Sequence, residues 1–128
     1  MTTRQVRVLV VDDQAVFLRV ARSLIAATPG FEQVGEAASG PEALRLTADL
    51  RPDLVLVDVR MPGMDGLETA RRLADIDPGA VIVLVSVDPV PELPVSVSSA
   101  RAATHVRKQD LNRRALQDLW RAHGTAAG

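Results

Sequence analysis

The chain has 128 residues, of which 47% are hydrophobic and 24% charged, and its 15 basic and 16 acidic side chains leave a net charge of −1. That is one ordinary globular domain, and the balance of charge excludes a broad basic face for nucleic acid and an acidic tail. The absence of cysteine excludes disulfides and thiolate metal sites, and no apolar run reaches the roughly 20 residues that span a bilayer, so a cytoplasmic protein with no membrane contact is expected.

Taken in order, residues 6–11 form a short apolar strand that runs into Asp12-Asp13. A helix follows, with Phe17, Val20, Ala21, Leu24 and Ile25 spaced to share one face, until Pro29-Gly30 stops it. Residues 31–38 read as a second, weaker strand with Val34 as its clearest core residue. Ser39-Gly-Pro-Glu42 fits a capping box with proline in the first turn, and the helix it opens carries Ala43, Leu44, Leu46 and Thr47 and ends before Pro52. Leu54-Val-Leu-Val is a continuous apolar run that ends in Asp58, the pattern of a strand buried on both faces. After Pro62 and Gly63, Asp65-Gly-Leu-Glu68 resembles a second capping box, and Leu67, Ala70, Leu73 and Ala74 line its helix. Residues 80–85 form a fourth strand ending at Ser86. Pro89, Pro91 and Pro94 then interrupt the pattern, and only a short or irregular helix within 92–102, the fourth in order, is expected. Residues 104–107 form a fifth strand ending at Lys108. Asp110 can cap a last helix whose Leu111, Ala115, Leu116, Leu119 and Trp120 face inward. Residues 1–123 are read as the domain, and the Ala/Gly-rich 124–128 as a frayed tail.

Five alternations of strand and helix imply an α/β fold, a doubly wound parallel sheet with helices on both faces. Every strand-to-helix turn then lies on one edge, so Asp12, Asp13, Asp58, Ser86 and Lys108 converge there. Three carboxylates side by side repel one another, and a hard divalent cation, Mg²⁺ or Mn²⁺, relieves that repulsion. Asp13 and Asp58 are candidate direct ligands, Asp12 a ligand through water, and a backbone carbonyl after Asp58 a further oxygen. Lys108 and Ser86 supply a compact cation and a hydroxyl for phosphoryl oxygens. A carboxylate beside them can act as nucleophile and form an aspartyl phosphate.

These residues resemble, over nearly the whole chain, the receiver domain of bacterial two-component response regulators. The matching pieces are Asp12-Asp13, the run Asp58-Val-Arg-Met-Pro-Gly-Met-Asp-Gly66, Ser86 and Lys108, and Val10-Val-Asp-Asp-Gln14 looks most like the nitrate-regulator-type subfamily. The resemblance implies strand order 2-1-3-4-5 in a five-stranded, flavodoxin-like receiver fold. It implies that Asp58 accepts a phosphoryl group from a sensor histidine kinase, that Asp12, Asp13, Asp58 and the Arg60 carbonyl hold Mg²⁺, and that Lys108 and Ser86 contact the phosphoryl oxygens. A homodimer or output partner would then use the fourth helix, fifth strand and last helix. The chain as given has no helix-turn-helix after residue 122 and would not itself bind DNA by that route.

Three departures from the family pattern stand out. His105 occupies the place of an inward-swinging Tyr or Phe, which suggests either an idle surface histidine or a weaker, pH-dependent switch. Arg101-Ala-Ala-Thr104 replaces a glycine-bearing turn. Arg60 and Asp88 flank the site mouth and could pair there to slow hydrolysis, against the alternative of an exposed pair of little consequence. Two other functions remain open: an Mg²⁺-dependent phosphatase like the haloacid dehalogenases, which Arg60 disfavours because that group carries a second acid there, and a phosphorylation-independent pseudo-receiver. The expected function is a switch, not an enzyme with an external substrate.

Overall fold

The computed structural model describes residues 4–87, 97 and 100–124. Its strands are β1 (Val6–Val11), β2 (Phe31–Ala37), β3 (Leu54–Asp58), β4 (Val81–Ser86) and β5 (Thr104–Arg107). The helices among the described residues are α1 (Ala15–Ala26), α2 (Gly40–Leu50), α3 (Gly66–Ile76) and α4 (Arg113–His123). All strands pair in parallel, in the order β2-β1-β3-β4-β5. The three central strands are almost wholly buried, as their unbroken apolar runs require. One core layer joins α2 and α3 to the sheet through Ala43, Ala70 and Leu73, and the other joins α1 and α4 through Ala21, Ile25 and Leu116.

The expected irregular helix within 92–102 falls largely outside the described residues, as do Asp88 and all of the tail except Gly124. Ala100, at its far end, is buried in the α2–α3 layer. No helix among the described residues is long and apolar enough to cross a membrane.

Both expected caps form. Ser39 Oγ accepts from the Glu42 N–H, while Glu42 reaches back one residue further than expected, to the Ala38 N–H. Asp65 Oδ1 accepts from the Glu68 N–H, but Glu68 turns to Arg72 instead of completing the box. Other expectations need correction. Val20 is 57% exposed, because the buried face of α1 is centred on Ala21 and Ile25 and Val20 falls on its flank beside the exposed Val16. Val34 is only half-buried: the β1–β2 register pairs Val8 with Gln33 and Leu9 with Gly35, so Val34 is the extra residue of a bulge. The second strand ends one residue earlier than expected, at Ala37. The fourth spans Val81–Ser86, so Ser86 is its last residue and not the first of the turn. Asp110 does not cap the last helix. It closes a 3₁₀ turn over Lys108–Asp110, and Asn112 caps α4 by accepting from the Ala115 N–H at 2.8 Å.

Candidate functional site

Sheet register builds the site. Val11 pairs with Val57, Asp58 with Val85, and Ser86 with Arg107. The residue after β1 is therefore level with the last residue of β3, and Lys108 follows one step beyond Ser86. Asp12, Asp13 and Asp58 come together so that one oxygen of each lies within 4.8 Å of the others. Asp12 is fully buried, Asp58 is nearly so, and Asp13 is exposed.

The groups around these carboxylates only partly satisfy them. Asp12 Oδ1 accepts from the Gln14 N–H at 2.7 Å. Its Oδ2 forms an ion pair with Lys108 Nζ at 2.6 Å but makes no well-aligned hydrogen bond. Lys108 Nζ is 4.0 Å from Asp58 Oδ2, beyond hydrogen-bond reach. Asp58 Oδ1 has a long contact, 3.4 Å, from the Arg60 N–H. Burial pushes the Asp58 carboxyl up from 3.8 to about 6, and the Asp12 charge adds to the rise. Lys108 and the Arg60 N–H oppose that rise, and Asp13 adds a smaller push upward.

Asp58 opens into a cavity of about 190 Å³ lined by Gln14, Arg60, Ser86, Val87 and Lys108. All the expected site residues are thus on one edge: Asp58, Arg60, Ser86 and Lys108 at the cavity, Asp12 and Asp13 beside Asp58. Ser86 is buried to 4% exposure. A larger groove of about 580 Å³ runs along α4 beside Arg113, Arg114 and Arg121, but it gathers no buried acid or nucleophile. Chemistry, not volume, therefore marks the site. His105 is exposed and lines a separate groove between β5 and α4 with His123, so it does not border the Asp58 cavity.

The donor set suits a divalent cation. Three carboxylates are crowded, one of them holds its proton to about pH 6, and a buried oxygen of another lacks a hydrogen bond. A hard cation takes such oxygens and removes their repulsion.

The structural role of Gly66 escaped sequence reasoning. Gly66, the first residue of α3, donates its N–H to the Val59 carbonyl at 3.0 Å. A Cβ placed there would lie 1.9 Å from the Asp58 carbonyl oxygen and 2.7 Å from Val59 Cα. Only glycine lets the start of α3 rest on the backbone that carries Asp58. The signals in the sequence are its place at the end of the family-like run from Asp58 to Gly66 and its position after a capping aspartate, which by itself reads as a turn.

Comparison with known proteins gives the family and agrees with the fold. The sequence model of the response regulator receiver domain matches residues 8–119. The response regulator GacA of Pseudomonas viridiflava is 39% identical over 103 residues, which are 80% of this chain and 48% of that protein. The chain thus spans about half the length of the GacA relatives and less than a third of the protein-glutamate methylesterase relatives that it also matches. The signal receiver domain of the response regulator NarL from Mycobacterium tuberculosis superposes with a TM-score of 0.80 at 30% identity, covering 94% of this chain and 100% of that one. The receiver domain of the histidine kinase CKI1 from Arabidopsis thaliana, solved with Mg²⁺, gives 0.79 at 28% identity over 93% of this chain and 92% of that one.

Proposed function

The chain belongs to the response regulator receiver family, and from that premise we propose that it is a signalling switch whose Asp58 accepts a phosphoryl group from a sensor histidine kinase. The observation that carries this reading is the position of Asp58: a buried carboxylate with its pKa raised to about 6, beside two further carboxylates and one lysine at the mouth of a cavity. At neutral pH most of the Asp58 population is ionised and nucleophilic. An Asp58 oxygen forms the new bond to phosphorus as the bond from phosphorus to the donor imidazole breaks, and the bonding pair stays with that nitrogen. Asp12, Asp13, Asp58 and the Arg60 carbonyl would hold Mg²⁺ (or Mn²⁺), which when bound neutralises the crowded carboxylates and the phosphoryl oxygens. Lys108 moves its ammonium the short distance to a phosphoryl oxygen, and Ser86 donates its hydroxyl to another.

The domain of this switch is residues 1–123 in a cytoplasmic setting. Its output partner or a second copy would dock through the 92–102 segment, β5 and α4, where phosphorylation biases a two-state equilibrium. Incubation with acetyl phosphate and Mg²⁺ followed by intact mass measurement tests the reading. One added phosphoryl group is expected, and it should vanish with EDTA and with Asp58→Asn. No addition under conditions that label a control receiver overturns it, in favour of a phosphorylation-independent interaction module.

A further inference from the structure

Phe17 was expected only as a core residue of the first helix, yet its ring lies against the Lys108 ammonium, with Nζ 4.5 Å from the ring centroid. The Lys108 side chain is 11% exposed, so its ammonium has given up most of its water. Among the described residues, the contacts of its ammonium include two anions and one neutral group: Asp12 Oδ2 at 2.6 Å, Asp58 Oδ2 at 4.0 Å, and the Phe17 ring face. The negative face of an aromatic ring attracts a desolvated cation. This contact differs from the other two in one respect. Asp12 and Asp58 both belong to the acidic group suited to a divalent cation, and a carboxylate drawn to such a cation binds an ammonium less well. The ring does not enter that competition.

We propose that Phe17 is a positioning residue whose ring face holds the Lys108 ammonium beside Asp58 when Asp12 is engaged by a divalent cation. The proposal rests on the reading of Asp58 as phosphoryl acceptor. Without the ring, an ammonium on a four-carbon stem would swing towards water or stay locked on Asp12. Leucine at position 17 would fill the same half-buried place in the α1–α4 layer and offer no such face. Packing and ring electrostatics must therefore be separated by experiment.

Stepwise fluorination of the Phe17 ring (mono-, di- and trifluorophenylalanine) drains its negative face while nearly keeping its shape. In metal-free protein, unfolding should show the folding constant falling stepwise by roughly fivefold in total, and staying flat in a Lys108→Met background. Equal effects with and without Lys108 overturn the proposal. With acetyl phosphate and Mg²⁺, the labelling rate should fall along the same series, and Phe17→Leu should match the trifluoro protein. A constant rate across the series overturns the positioning role alone. No labelling even of the unsubstituted protein overturns the acceptor reading, and the positioning role with it.

Discussion

Two carboxylates bracket β3, and they live in opposite ways. Asp53, just before the strand, accepts from Arg4 Nη2 at 2.7 Å and from the Arg7 N–H at 3.0 Å, and its own N–H bonds the Arg7 carbonyl. It ties β1 to β3 and is fully employed in doing so. Asp58, at the other end, has one backbone contact at 3.4 Å and a lysine at 4.0 Å, with two like charges close by. Burial without enough partners raises its proton affinity. The same residue type is a staple just before the strand and, among the described residues, an under-satisfied carboxylate at its far end. What separates them is the number of donors within reach among the described residues, and a strand sequence alone does not carry that number.

The comparison can be broken most severely through Gly66. Gly66→Ala forces a methyl group into the Asp58–Val59 backbone, and a loss of about 3 kcal/mol in unfolding free energy is expected, together with loss of phosphoryl acceptance. A fully stable Gly66→Ala protein would show that α3 does not brace Asp58.

The two carboxylates should next respond to amide substitution with opposite signs. Because the native Asp58 pKa is raised from 3.8 to about 6, the native state holds its proton longer than the unfolded state. Its burden on stability is therefore absent below about pH 4, grows as pH rises to about 6, and is fully present above. A shift of this size corresponds to about 3 kcal/mol at most, so Asp58→Asn should stabilise the metal-free protein by roughly 2 kcal/mol at pH 7.5 and by almost nothing at pH 3.5. Denaturant titrations at both pH values check this, and a gain independent of pH would contradict it. Asp53→Asn, measured the same way, should instead lose about 1 kcal/mol, since it weakens a charge-assisted pair and a backbone bond.

The mildest change leaves both ends of β3 alone. Arg101 adopts a left-handed conformation, φ 62°, before β5, at a turn where the family commonly carries glycine. Arg101→Gly relieves that strain and forfeits the exposed pair with Asp75, for a net gain of about 0.5 kcal/mol in thermal unfolding. A loss would mean that the arginine itself holds the turn.

Much of this was legible because the central strands are buried on both faces and so spell themselves as apolar runs. Asp12, Asp13, Asp58, Ser86 and Lys108 could be placed on one edge from chain order alone. What could not be read were features set by contacts between distant segments. The bulge that lifts Val34 out of the core depends on how β2 meets β1. The cap of α4 moved from Asp110 to Asn112 because a 3₁₀ turn intervenes, and both residues are good caps. Val20 fits a helical repeat, but a repeat does not say where its buried face is centred. Phe17 against Lys108 joins the first helix to the end of the fifth strand, a contact that no local pattern encodes.

The difference between the two ends of β3 is most directly tested by locating the phosphoryl group. After treatment with acetyl phosphate and Mg²⁺, borohydride reduces an acyl phosphate on aspartate to homoserine, which peptide mass spectrometry can place. Homoserine at position 58, with Asp53, Asp12 and Asp13 unchanged, is the predicted result. Conversion at any of those three, or at none while a control receiver is converted, would contradict the account.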